Sequence, residues 1–224
     1  MTQQSTKRAM VIVNGDDIHH DLLSASLVFQ QLASEAGYAT RRAIGTSRFV
    51  EPRPETAEAD VYVLYTAGGL FDTAQQQALL DAVKAGKGVV ALHGANIMGW
   101  EGDRLASAYR PLFELVGNRY LSHGPGHHEG RHTIEIVTEH PVTAGVGTFD
   151  LFDEYYEFEL ADDNVTVLAQ RRRDDGVVIP VLYVRQVGEG RVVYLALGHD
   201  MRSWGEPPVR ALVRQAITWA AGDE

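Results

Sequence analysis

Gly86-Lys87-Gly88-Val89-Val90-Ala91-Leu92-His93-Gly94-Ala95-Asn96 is the stretch that decides the fold. Its apolar run is unbroken from Val89 to Leu92, and runs of this kind belong to strands covered on both faces, as in the middle of a parallel sheet. A second run, Arg191-Val192-Val193-Tyr194-Leu195-Ala196-Leu197-Gly198, has the same character and stops at His199-Asp200. Open α/β sheets bind ligands outside the carboxyl ends of their strands, so two central strands that each end in a histidine put the candidate site there. A single such histidine also serves as a plain cap bonded to a nearby carbonyl, but two together favour function.

Outward from this core, the first half alternates period-two apolar runs with helical patterns, the sign of a parallel sheet with crossover helices. Strands are predicted over residues 10–14, 39–44 and 60–65, with helices over 20–36 and 73–86. Leu22, Leu23, Leu27, Phe29 and Leu32 supply the apolar stripe of the first helix, and Gly37 stops it. Beyond Trp100 a helical stretch reaches residue 116, followed by a loop dense in histidine and glycine from Ser122 to His132. Further strands are expected near 133–138, 155–160, 165–171, 180–187 and 191–197, and a last helix over 208–221. No internal repeat or linker divides residues 1–224, which read as one domain.

Composition narrows the function classes. No run of eighteen apolar residues is present, which argues against a membrane span, and the polar start lacks a signal-peptide core, so a cytoplasmic location is expected. A formal charge of −10 argues against a nucleic-acid partner. The basic cluster Arg171-Arg172-Arg173 runs at once into Asp174-Asp175-Gly176 and reads as a solvated hairpin turn. The chain has no cysteine, which removes disulfides, thiolate ligands and thiol nucleophiles together.

Five elements in order carry a resemblance. They are the run from Gly86 to His93, then His140-Pro141-Val142-Thr143-Ala144-Gly145, then Asp153-Glu154-Tyr155-Tyr156, then Pro180-Val181 with the segment from Gly188 to Asp200, and last Ala216-Ile217-Thr218-Trp219-Ala220. Together they resemble the ThuA-like, or trehalose-utilisation, family, a relative of the class I glutamine amidotransferases. The resemblance implies a flavodoxin-like α/β fold, with a mainly parallel sheet, flanking helices and additional strands in the C-terminal half. It also implies a carbohydrate substrate. Amidotransferases place a cysteine on the sharp turn after a central strand. Here that turn is His93-Gly94-Ala95-Asn96, so glutamine hydrolysis by a thioester is excluded.

What remains is imidazole and carboxylate. His93, Glu154 and His199 are the expected catalytic groups, able to move a proton at a carbon beside a carbonyl or at a leaving oxygen. The same groups with His123 form a candidate site for a divalent ion such as zinc, manganese or iron. His123 is chosen because it matches a position where the family pattern carries a histidine. His127, His128 and His132 stay open. Trp100, Tyr155 and Trp204 are expected as flat pocket walls, with Asn14 and Asp200 as polar contacts at strand ends. Ala67-Gly68-Gly69 lacks the third glycine of a dinucleotide fingerprint, so no dinucleotide is expected. His140 reads as structural. The leading expectation is an enzyme acting on a disaccharide, a glycoside or its 3-keto form. The alternative is a non-catalytic sugar- or partner-binding module on the same fold. The strand-rich second half offers an edge or face for a homodimer.

Overall fold

The computed structural model describes residues 6–15, 19–97 and 111–223, together with the backbone of 100–101 and 104–105. Its elements in chain order are β1 (Arg8–Gly15), α1 (Leu22–Glu35), β2 (Ala39–Ile44), α2 (Pro54–Ala57), β3 (Val61–Ala67), α3 (Thr73–Lys84) and β4 (Gly88–Leu92). Then come β5 (Trp100–Glu101), β6 (Arg104–Leu105), α4 (Pro111–Val116), β7 (Asn118–Ser122), β8 (Glu129–Ile136), β9 (Phe149–Glu154) and β10 (Glu157–Leu160). The chain closes with β11 (Thr166–Arg172), β12 (Val178–Val187), β13 (Gly190–Leu195), α5 (Met201–Gly205) and α6 (Pro207–Ala220).

A nine-stranded sheet in the order β2-β1-β3-β4-β13-β12-β11-β8-β9 organises the molecule. The half from β2 to β13 is parallel, and from β12 onward the strands are antiparallel. Every residue of β3 and β4 is buried, as their continuous apolar runs require. β13 pairs with β4 in parallel register, Leu195 opposite Leu92, so the two runs end side by side and deliver His93 and His199 to the same edge. α1 and α6 pack on one face of the sheet and α3 and α4 on the other. Asp21 caps α1 by accepting the Ser24 N–H, and Asp72 and Gln75 close a capping box on α3.

Three details differ from the sequence expectation. In α1 the buried positions are Ala25, Ser26, Phe29, Leu32 and Ala33, a spacing of four, three and one that forms one helical face, while Leu23 and Leu27 lie exposed on the other side. The histidine-rich segment is partly strand, since β8 begins at Glu129 and pairs with β9 from Glu129 opposite Glu154 to Ile134 opposite Phe149. The strand expected over 155–160 is β10, which starts only at Glu157, and β9, ending at Glu154, is not among the strands expected from sequence. From Glu129 to Thr133 β8 alternates exposed and half-covered polar residues, so only its end, at Ile134 and Ile136, offers an apolar period to read. The helical stretch before residue 111 lies outside the described residues.

Candidate active site

His93 follows directly on β4 with φ +48°, the only non-glycine residue at positive φ among the described residues. Left-handed backbone is costly for an ordinary side chain and persists where the surroundings dictate it. They do so here. Tyr194 donates its hydroxyl to the His93 carbonyl at 2.9 Å, and His93 Nδ1 lies 2.8 Å from the Ala196 carbonyl oxygen. The next residue must be glycine, because a Cβ on Gly94 would come within 2.5 Å of the Thr66 carbonyl oxygen. The sharp elbow of the parent fold is therefore kept, with an imidazole at its tip.

Around this tip, Glu154 at the end of β9 is a hub for three imidazoles. Its Oε2 lies 3.3 Å from His93 Nε2 and 3.2 Å from His123 Nε2, and its Oε1 lies 3.2 Å from His199 Nδ1. Burial alone would raise the Glu154 carboxyl, but the contacts from His123, His199 and His93 outweigh it and hold the group well below the usual carboxylate range. For His199, burial works against the charged form, yet the adjacent Glu154 dominates and raises its pKa. The His199 Nδ1 is buried and close to Glu154 but out of line for a hydrogen bond, so this contact is electrostatic.

The protonation of His93 follows from its partners. A carbonyl only accepts, so Nδ1 carries the proton toward Ala196. In the neutral ring Nε2 would then turn a lone pair toward an ionised carboxylate 3.3 Å away. His123 has no such conflict, since Tyr120 Oη, 3.0 Å from Nδ1, can donate while Nε2–H faces Glu154.

A fourth imidazole completes the cluster. His20, in the turn between β1 and α1, lies with its ring 4.6 Å from that of His199 and 5.3 Å from that of His93. One ligand atom of each of His20, His93 and His199 lies within 4.8 Å of the others, the arrangement best able to hold a metal ion here. From sequence, His20 stands only at the start of the expected helix over 20–36. The signal that points to it is its place after β1, since the sheet reverses order between β1 and β3 at the carboxyl edge.

Behind the tip, the Tyr156 ring packs 4.6 Å from His93, and its hydroxyl donates to Asn96 Oδ1 at 3.1 Å. Asp153 is 2 % exposed and spends its carboxylate on backbone, accepting from Gly198 N at 2.6 Å and His199 N at 3.0 Å.

The other predicted residues fall in different places. Trp204, expected as a pocket wall, is 1 % exposed and packs edge-on against Phe29 at 4.7 Å and Tyr65 at 5.5 Å, beneath Gly198. It supports the turn that carries His199 from below. Asp200, expected to meet substrate, caps α5, with Oδ1 accepting the Arg202 N–H at 2.8 Å and Oδ2 the Arg202 Nε–H at 2.7 Å. Asn14 donates to the Leu70 carbonyl at 3.1 Å and ties the end of β1 to the loop after β3. The side chain of Trp100 lies outside the described residues, as does Asp16. His140 accepts the Val142 N–H and caps a short turn.

Tyr155 lines a cavity of about 700 Å³ beside the cluster, together with His123, His127, His132, Arg171 and Glu157. His93, Glu154 and His199 do not border it, so His123 is the partition between hub and cavity. His128 is exposed and stacks on His123 at 4.9 Å. The basic cluster expected as a solvated turn is only partly that. Arg173 to Gly176 form the turn, but Arg171 is 2 % exposed, pairs with Glu157 at 3.4 Å and lies over the Tyr155 ring at 5.2 Å.

Fold and site together define a flavodoxin-like α/β protein whose elbow after β4 carries histidine and whose sheet edge carries a histidine–carboxylate hub. The chain belongs to the ThuA family, described by trehalose utilisation, which matches residues 8–220 and connects the chain with carbohydrate metabolism. Among solved structures, a ThuA-like protein of Parabacteroides merdae is 17 % identical with TM-score 0.69, covering 97 % of this chain and 91 % of its own. A ThuA-like protein of Bacteroides uniformis is also 17 % identical, with TM-score 0.73 and coverage of 98 % and 94 %. A cold-adapted β-galactosidase from Rahnella is 13 % identical with TM-score 0.65 over 96 % of this chain but only 31 % of its own length. At these identities the likeness is one of fold. No curated protein matches. Among the described residues, no helix is long and apolar enough to cross a membrane.

Proposed function

We propose that this protein is a cytoplasmic enzyme of carbohydrate metabolism that moves a proton at the carbon beside the carbonyl of a disaccharide or glycoside oxidised to its 3-keto form. The carrying observation is the Glu154 carboxylate, ionised and held by three imidazoles at 3.2–3.3 Å at the edge where two central strands end. Glu154 is the group that takes the proton, because its side chain is 13 % exposed whereas that of His93 is only 1 % exposed. The C–H bond beside the carbonyl breaks and its electron pair moves into an enolate. Return of the proton to the former carbonyl carbon, with the adjacent hydroxyl proton passing to its oxygen, isomerises the sugar. Alternatively the enolate re-forms the carbonyl, the bond to the glycosidic oxygen on the β carbon breaks to leave a conjugated double bond, and the departing oxygen takes the proton from Glu154. Positive charge on the His199 imidazole, favoured by Glu154 beside it, offsets the enolate. His123 holds Glu154 on the cavity side, and the cavity accommodates the remainder of the sugar beside Tyr155. Glutamine hydrolysis is not part of this reading, since the elbow carries no nucleophile.

The test is hydron exchange in deuterated buffer on 3-keto-trehalose, followed by NMR at the carbons flanking the carbonyl. Exchange above the buffer rate that falls by about 10²-fold or more in Glu154→Gln supports the assignment. Binding of the sugar with no exchange in the wild type sinks it and leaves a sugar-binding module.

A further inference from the structure

We propose that His20, His93 and His199, with Glu154 beside them, form a mononuclear site for a divalent first-row transition ion. The inference rests on the reading of this hub as the working site, and it adds a ligand that the sequence motifs do not mark. Three observations carry it. One ligand atom of each imidazole lies within 4.8 Å of the others, with His93 buried and the other two half-buried. His93 has one ring nitrogen set by a fixed acceptor, its Nδ1 lying 2.8 Å from the Ala196 carbonyl oxygen, the kind of outer contact that orients metal-binding imidazoles. Finally, Glu154 Oε2 lies 3.3 Å from His93 Nε2, which places a carboxylate beside the nitrogen that would hold the ion.

The donor set chooses the kind of ion. Three neutral imidazole nitrogens suit zinc, iron or manganese, whereas calcium and magnesium prefer all-oxygen shells. His123 falls outside this group. It meets Glu154 but is not one of the three mutually close imidazoles, which separates the site from the set His93, His123, Glu154 and His199 expected from sequence. With an ion in place, His93 and His199 act as ligands, and Glu154 remains the proton acceptor, next to a Lewis acid able to polarise the sugar carbonyl.

The test uses full-length protein without a histidine tag. Metal content by mass spectrometry should give about one first-row ion per chain. His20→Ala should lose at least about nine-tenths of it, while His123→Ala should keep it. Because a variant can fail to fold, wild-type protein stripped with chelator is also titrated with Co(II), whose visible absorption should saturate near one equivalent. The proposal is overturned by wild-type protein that neither carries metal nor gives a saturable Co(II) band. Unchanged metal in His20→Ala overturns it too, as does equal loss in His123→Ala with the melting temperature preserved. Hydron exchange on the same samples separates the two readings. Exchange in protein that binds no metal leaves the proton chemistry standing alone, and bound metal without exchange leaves the metal centre without that function.

Discussion

Asp153 holds His199 by the backbone: Oδ1 of the buried carboxylate accepts the His199 N–H at 3.0 Å, while Oδ2 takes the Gly198 N–H at 2.6 Å. One side chain from β9 thus fixes the turn after β13, and it precedes Glu154 in sequence. Removing it strands the buried Gly198 donor and the partly buried His199 donor, each costing about 1–3 kcal/mol. Asp153→Ala is therefore expected to destabilise the protein by about 3 kcal/mol and Asp153→Asn by about half of that, as one acceptor oxygen survives. Urea unfolding at pH 7 measures both, and a loss under about 0.5 kcal/mol for the alanine variant contradicts the account.

Gly198 has φ +111°, and a Cβ there would stand 2.0 Å from the Trp204 ring. Strain and overlap act together, so Gly198→Ala should cost about 3 kcal/mol and shift the tryptophan emission as the indole is pushed from Phe29 and Tyr65. Unfolding curves read by fluorescence and by circular dichroism should agree on the loss.

At His93, with φ +48°, the side-chain type decides the backbone cost. Asparagine tolerates the left-handed region and valine does not. His93→Val should be less stable than His93→Asn by about 1–2 kcal/mol, although both remove the imidazole from Glu154. Equal melting temperatures for the two would show that the elbow relaxes out of this conformation.

His132 makes stability depend on pH. Burial is the larger influence and lowers its pKa below the ordinary histidine value of about 6.5, with the Gly130 carbonyl only partly opposing it. As pH falls below that value the unfolded chain takes up the proton first, so the group's contribution is present above it and is lost on acidification until the folded value is passed. His132→Gln should accordingly flatten the decline in urea midpoint between pH 7 and pH 5. A decline as steep as in the wild type assigns the effect to other groups.

Much of the fold was legible because its central strands are covered on both faces. β3 and β4 need only apolar side chains, and the runs Val61–Ala67 and Gly88–Leu92 declare that without tertiary information. The last helix was equally clear from its buried residues Leu212, Val213, Ala216 and Ile217. The antiparallel extension was harder. β8 lies beside β9 at the sheet's edge, and its Arg131, His132 and Thr133 serve a cavity wall, so its pattern follows ligand space rather than a core period.

Within the site, local sequence marked residues at strand ends but not the use each would find. His93 and His199 come together because two buried strands pair in register, and their apolar runs already imply burial side by side. Glu154 and His123 arrive from the antiparallel half, and His20 from a turn whose sequence reads as solvent-exposed. Asp200 and Trp204 carry the right chemistry for a pocket yet are consumed by a helix cap and by core packing.

By itself, the sequence determined the parallel core, the histidine at each of two strand ends and the absence of a thiol nucleophile. These depend on residue type and short-range pattern. Only the tertiary structure decided that Glu154 is the centre of the cluster, that His20 joins it, and that His123 divides it from the cavity. Those are distances between segments far apart in the chain, set by sheet order and register, which no local pattern encodes.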